Sequence, residues 1–361
     1  MLRRHFLGIA GSTVAGIASE ARRVRTIAGV GVAGYSGDEG PGEQGMINSP
    51  FGLALGPDGA LYFCEAGNHC VRRLSSRTRE LSTVAGDLRR GYSGDGGPAD
   101  EASLNQPYDV RFDGAGNMYI VEMQNHTVRR VDARTGTIIT IAGTGERGFG
   151  GDGGPARKAL LNQPHAIAFD AQGRLLICDT GNHRIRRVDL KTGRIETWLG
   201  TGERKRLSDG DPLKGASFAS PRAIELATDG MFYLLLRESN AVFRIDEKAQ
   251  RFVRVAGTGE RGYSGDGGPA HAARLNGPKA LARDPAGGLY IADTENHVIR
   301  YIHFGSGQIT TVLGTGQPGD GPDGDPSRCR LNRPHGVYAA SRGRLFVSDT
   351  ENHRIRLLWR P

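Results

Sequence analysis

The sequence predicts an all-β protein: a six-bladed β-propeller of four-stranded antiparallel blades, closed by its own N-terminal strand. Three observations carry that prediction: an internal period, four strand signals in each repeat, and chain ends that complement one another. The period is marked by an aspartate in a glycine-rich loop, at Asp38, Asp95, Asp152, Asp209, Asp266 and Asp323, with a constant spacing of 57 residues (95 − 38, 152 − 95 and onward). The loop GYSGDGGPA is identical at Gly91 to Ala99 and Gly262 to Ala270. A second marker, the Asn of GNH or ENH, falls at Asn68, Asn125, Asn182, Asn240, Asn296 and Asn352, so the register drifts by at most one residue. The repeats fill the chain from about Arg25 onward and leave no stretch for a second domain, which places residues 22–361 in one unit.

Within the third copy, PHAIAFD (Pro164 to Asp170), RLLICD (Arg174 to Asp179), HRIRRVD (His183 to Asp189) and RIETWLG (Arg194 to Gly200) are short runs rich in Ile, Leu, Val and Phe. The turn clusters AQG, TGN and LKTG separate them, which makes an antiparallel meander. A four-stranded unit cannot bury both faces alone, and radial stacking is the closed solution. The first run, VRTIAG at Val24 to Gly29, matches a fourth strand, whereas the last copy stops after its third at IRLLWRP. The start of the chain therefore completes the last blade and removes the open edges.

The units, of the form GPAxxAxLNxPxxxAxDxxGxLYIADTxNHxIRxV, resemble NHL repeats over nearly the whole chain, including the NH pairs at Asn68-His69, Asn125-His126, Asn182-His183, Asn296-His297 and Asn352-His353. The resemblance implies a propeller that serves as an interaction platform. The fourth copy departs from it: aligned on Asn240, it places Ala241 where the other copies have His, and Arg237 where five copies have an acid (Glu65, Glu122, Asp179, Asp293, Asp349). On that alignment Arg244 is the fourth of six repeated arginines (Arg72, Arg129, Arg186, Arg244, Arg300, Arg356) and lacks the carboxylate that the others reach across the blade.

Residues 1–21, MLRRHFLGIAGSTVAGIASEA, combine an arginine pair, a modest apolar stretch and small residues that suit cleavage. The string RRHFLG resembles a twin-arginine export signal, and the expected location of the mature chain is periplasmic or secreted. The thirteen-residue stretch from Phe6 to Ala18 is too short to span a bilayer. The net charge of +8 is carried largely by the repeated arginines, so bracing within blades is favoured over a nucleic-acid surface. Of four cysteines, Cys64 and Cys70 flank a hairpin, but a four-residue turn puts Cys64 opposite Val71 and Glu65 opposite Cys70, with the two sulfurs on opposite faces and no disulfide.

Two glycine-rich strings, GTGERG at Gly143 to Gly148 and Gly257 to Gly262, fit a dinucleotide fingerprint in letters only, because no helix can start after them. The loop aspartates read as braces that accept backbone N–H bonds within the loop, and the NH histidines as turn residues. Function is expected where the copies disagree at a shared place. The residue after the recurring Pro begins the innermost strand and reads Phe51, Tyr108, His165, Arg222, Lys279 and His335 around the ring; its successors are small except Asp109. Such a ring suits an anionic or sugar-like ligand or an acidic peptide at the channel mouth.

Two functions follow. One is a monomeric binding platform for a protein, peptide or carbohydrate. The other is a metal-dependent lyase or lactonase-like enzyme, as in other six-bladed propellers, with Zn or Ca in the channel held by His165, His335 and Asp109, and with Arg222 and Lys279 steadying an anion. No GxSxG or HExxH occurs.

Overall fold

The computed structural model describes residues 22–361, so the expected export signal lies outside the described residues. Six four-stranded antiparallel sheets surround a central channel. Blade I comprises Pro50–Leu55, Leu61–Glu65, Cys70–Leu74 and Leu81–Ala85; blade II Pro107–Phe112, Met118–Glu122, Thr127–Val131 and Ile138–Ala142; blade III Pro164–Phe169, Leu175–Asp179, Arg184–Asp189 and Arg194–Leu199. Blade IV is Pro221–Leu226, Phe232–Leu236, Ala241–Asp246 and Arg251–Ala256; blade V is Ala280–Asp284, Gly288–Asp293, Val298–His303 and Gln308–Leu313. Blade VI takes Gly336–Ala340, Arg344–Asp349 and Arg354–Trp359 from the C-terminus and Arg23–Ala28 from the N-terminus. That last pairing, Val24 opposite Leu358 and Thr26 opposite Arg356, closes the ring as the complementary ends require.

Second strands are buried along their whole length in blades II to V, because neighbouring blades cover both faces. Their near-continuous apolar runs follow from that sandwiching. The core therefore lies between blades: Ala54, Cys64 and Val71 of blade I pack on Val110, Met118 and Ile120 of blade II. Cys64 pairs with Val71 and Glu65 with Cys70, the register read from the hairpin, and all four cysteines are free and buried.

The repeated polar residues form one clamp per blade. In blade III the fully buried Arg186 lies 3.3 Å from Asp179 and 2.6 Å from Asp152 in the glycine-rich loop, and it donates to the Gly150 carbonyl. Asp179 also accepts from the Asn182 amide and the Asn162 backbone N–H, while Asn182 donates to the Gly148 carbonyl. The loop is thus tied down by side chains of the blade it covers. The loop aspartates do not brace the loop internally as expected: they reach this arginine and, as at Thr140 and Thr197, the outer strand. Arg72, Arg129, Arg300 and Arg356 repeat the clamp with Asp38, Asp95, Asp266 and Asp323.

The NH histidines join blades. Each takes a left-handed conformation, φ 49 to 56°, and its Nδ1 accepts the backbone N–H of the residue before the proline that leads into the next blade's first strand. His69 receives Gln106, His126 Gln163, His183 Ser220, His297 Arg333, and His353 Ser49, at 3.1–3.2 Å.

Blade IV corrects the alignment. Asn240 has φ 44°, and its Oδ1 accepts the Gly277 N–H at 2.8 Å, so Asn240 occupies the histidine position rather than the asparagine position. The register then puts Leu236 opposite Pro221 and Ala241, where blade III has Asp179 opposite Pro164 and Arg184. Phe243 sits opposite Leu234, as Arg186 sits opposite Ile177. The clamp acid and arginine of blade IV are therefore Leu236 and Phe243, both essentially inaccessible. Arg237 and Arg244 each lie one residue beyond, and Arg244 is part-exposed beside Asp246 at 3.5 Å. An apolar pair of similar volume replaces a buried ion pair without leaving a charge unpaired.

Equilibrium denaturation of blade III variants tests this exchange. Arg186→Met, which leaves Asp179 buried without its counter-ion, costs about 3–5 kcal/mol. The double variant Asp179→Leu, Arg186→Phe, which copies blade IV, costs less than the single change, and Arg244→Met stays within about 0.5 kcal/mol of the parent.

Candidate functional site: the channel and its two mouths

The inner strands enter the channel from the rim that carries the glycine-rich loops, here called the upper rim. The residue before each inner strand's Pro is left-handed (Ser49, Gln106, Gln163, Ser220, Gly277, Arg333; φ 48 to 53°). Each such turn delivers the next side chain to the axis. The six residues of the sequence-derived ring consequently meet, but they converge more tightly than an open mouth would allow. Phe51 packs between Tyr108, tilted at 36°, and His335, edge-on, with ring centres 4.3 and 4.5 Å away, and Tyr108 meets His165 edge-on at 4.7 Å. The Arg222 guanidinium lies 4.5 Å over the Tyr108 ring and donates to its hydroxyl. Lys279 Nζ is 2.7 Å from His335 Nε2 and 3.4 Å from Glu295. His165, Arg222 and His335 are 8% exposed and Lys279 7%, and the space left beneath them is only about 30 Å3.

This plug is electrostatically positive. Arg237, one residue beyond the second strand of blade IV, adds a guanidinium whose charge acts on His165, Arg222 and Lys279. The Nε atoms of Arg222 and Arg237 are buried with no hydrogen-bond partner among the described residues. Burial, then the charge of Arg222, pushes the Lys279 ammonium down to about 7. Arg222 is likewise held well below the usual guanidinium range by burial and Arg237. Burial brings His165 down to about 4, and burial with Lys279 and Arg222 holds His335 well below the usual imidazole range. Both imidazoles are therefore neutral at pH 7. Their Nδ1 atoms lie 2.8 Å from the Gln163 and Arg333 carbonyls, which require an N–H there, so each Nε2 carries the lone pair. The His335 lone pair accepts a hydrogen bond from Lys279. Glu295, which also pairs with Arg333 at 2.9 Å, is the acid that approaches the cluster.

Asp109 stands one level lower and ties blades together. Its carboxylate accepts the Ile167 backbone N–H of blade III at 3.1 Å and that of Val110 at 3.0 Å, and it lies 3.0 Å from Arg111. With Asp109 committed to backbone and Arg111, it does not join His165 and His335 in a three-donor cluster, and no such cluster of His, Cys, Asp and Glu occurs among the described residues. Gly52 and Gly336, its neighbours in the ring, are fixed by close approach: a Cβ at Gly52 would lie 2.7 Å from the Asp109 Cα, and one at Gly336 only 2.1 Å from the Phe51 carbonyl oxygen.

Sequence reasoning stopped at the upper two levels and missed a third. Two residues further along each inner strand the ring reads Ala54, Arg111, Ala168, Glu225, Ala282 and Tyr338, and these line a cavity of about 490 Å3 toward the lower rim. The signal was available: the copies disagree here as sharply as at the mouth, with three alanines against an Arg, a Glu and a Tyr.

The repeat geometry and the clamp bear directly on kinship. An NHL repeat family model matches residues 161–188 and 331–356, the inner-to-third-strand segments of blades III and VI. The chain carries NHL repeats in a six-bladed propeller. This propeller is 29% identical over 273 residues to Protein SUPPRESSOR OF QUENCHING 1, chloroplastic, of Arabidopsis thaliana, covering 73% of the chain and 26% of that protein. It is 27% identical over 289 residues to NHL repeat-containing protein 2 of Bos taurus, covering 72% and 39%. The chain thus spans well under half the length of these relatives. Among solved structures, an auxiliary nutrient binding protein from Bacteroides thetaiotaomicron superposes with a TM-score of 0.69 at 20% identity, over 94% of this chain and 76% of that one, which shows a shared fold.

The charge crowding at the plug has a measurable signature. In a 13C NMR titration of the methylated lysines, Lys279 titrates near pH 7, far below the ordinary lysines, and Arg222→Ala moves its midpoint upward because a repelling charge has gone. An ordinary lysine midpoint for Lys279 in the parent protein contradicts this.

Proposed function

We propose that this NHL-repeat propeller is an exported binding platform whose upper mouth takes an acidic side chain of a peptide or protein partner. The observation that carries the reading is the cation cluster of buried Arg222 and Lys279 with half-buried Arg237, in which two guanidinium Nε atoms are unpartnered among the described residues. Buried donors without acceptors cost free energy until a ligand supplies one. The 30 Å3 beneath the plug admits a carboxylate tip and not a sugar ring, which favours an acidic peptide over a free carbohydrate at this mouth. Phe51 and Tyr108 supply the apolar rim on which the rest of such a segment rests. A binding role accords with the nutrient-binding neighbour in fold, and export with the arginine pair at residues 3–4. No helix among the described residues is long and apolar enough to cross a membrane.

Fluorescence anisotropy with a labelled hexaglutamate peptide tests the mouth. Binding weakens with added salt and strengthens as pH falls from 8 to 6, because Lys279 gains its proton through about pH 7. The double variant Arg222→Ala, Lys279→Ala lowers affinity by about tenfold or more. An unchanged affinity, or the opposite pH trend, rejects the assignment. Export has its own measurement: replacing Arg3 and Arg4 with Lys retains the protein in the cytoplasmic fraction, and undiminished secretion refutes the twin-arginine reading.

A further inference from the structure

The lower cavity differs from the upper mouth in size, lining and charge. Its volume of about 490 Å3 is enough for a small organic molecule, and its wall is built from the lower halves of the inner strands of several blades. Small side chains at Ala54, Ala168 and Ala282 make the room, and Phe112, Phe169 and Leu226 give it apolar sides. Against this background stand five polar side chains, Arg111, Glu225, Arg283, Tyr338 and Ser341, of which the first four carry the argument.

Their partners divide them. The Arg111 Nη1 is engaged by Asp109 and by the carbonyls of Leu53 and Val110, which pins the guanidinium in the wall. Neither Glu225 nor Arg283 forms an ion pair or a side-chain hydrogen bond with another described residue, and the Tyr338 hydroxyl also lacks one. A carboxylate inside a channel, an unpaired arginine at its mouth and a free phenol on a third blade are three groups without structural duties. They take no part in the arginine clamps that brace the blades near the upper rim.

We propose that the lower cavity is a second binding site, separate from the upper mouth, for a hydroxylated carboxylate of monosaccharide size, the chemistry of a uronate. Arg283 at the entrance meets the ligand carboxylate, with the fixed Arg111 deeper in the wall adding positive potential. Glu225 and Tyr338 bond to ring hydroxyls. Burial pushes the Glu225 carboxyl up to about 7, so near neutral pH it both donates and accepts, as a hydroxyl-bearing ligand requires. Phe112, Phe169 and Leu226 pack against the C–H faces of the ring. A neutral sugar leaves Arg283 unused. A zwitterion such as 5-aminovalerate would bring its ammonium up against the Arg111 and Arg283 guanidiniums, and its apolar methylenes would leave the Tyr338 hydroxyl unmet.

Isothermal titration calorimetry of the mature protein with D-glucuronate, D-glucose and 5-aminovalerate decides the matter. Glucuronate binds, glucose binds about tenfold more weakly or not at all, and Arg283→Ala lowers glucuronate affinity by about tenfold. Tyr338→Phe weakens it by a smaller factor. Arg283 is exposed with no described partner, so its removal leaves the fold intact, which circular dichroism verifies. Arg222→Ala with Lys279→Ala leaves glucuronate binding unchanged while weakening hexaglutamate binding, and Arg283→Ala weakens glucuronate binding while leaving hexaglutamate binding unchanged; the two sites therefore fail separately. No heat with glucuronate overturns the proposal, as does tighter binding of 5-aminovalerate or an affinity indifferent to both Arg283→Ala and Tyr338→Phe.

Discussion

A guanidinium taken wholly out of water must keep its counter-charges, and that constraint organises this propeller. In five blades an inaccessible arginine holds a strand-end acid on one side and the aspartate of the glycine-rich loop on the other. The acid in turn fixes the asparagine of the NH turn and the backbone that enters the inner strand. A loop with little side-chain mass, and hence little hydrophobic reason to lie still, is thereby given a fixed path over its blade. The upper rim is rigid because its loops are clamped from beneath, and the inner strands start from that rim with defined orientation.

Blade IV shows that the clamp is one solution among two. Leu236 and Phe243 fill the space of acid and arginine with apolar volume, and Asn240 serves in place of histidine as acceptor for the next blade's N–H. The ring closes equally well. What changes is the electrostatics of the neighbourhood: with no carboxylate at position 236 and an arginine at 237, the fourth blade brings positive charge without its usual compensation to the channel mouth beside Arg222 and Lys279. The departure from the repeat and the perturbed ionisation are therefore neighbours in space, as expected if local inconsistency marks function.

Much of this was legible in the sequence. The period of 57, the four strands per unit and the complementary ends specify the ring, because periodicity and edge closure are properties of backbone pattern. The position of Phe51, Tyr108, His165, Arg222, Lys279 and His335 at the upper mouth was equally readable from the residue after Pro. The register of the fourth copy was not, because Asn240 was matched by residue type. The turn asks instead for a left-handed residue carrying an acceptor, a role that His and Asn share. Nor could spacing reveal that six long side chains would collapse into a plug, since that depends on rotamers and on the ring contacts of Phe51 with Tyr108 and His335. The Arg111, Glu225 and Tyr338 level was missed for a simpler reason: the rule that disagreement among copies marks function had not been carried two residues further.

The account rests on a division of labour, in which positions that agree among copies hold the ring and positions that disagree around the channel bind. Hydrogen–deuterium exchange of the protein, with and without saturating hexaglutamate, tests it most directly. The account predicts new protection confined to the segments that carry Tyr108, His165, Arg222, Lys279 and His335, with the clamped loops at Asp95, Asp152 and Asp266 unchanged. Protection spread over the clamped loops or the outer strands, with the inner-strand starts unaffected, would contradict it.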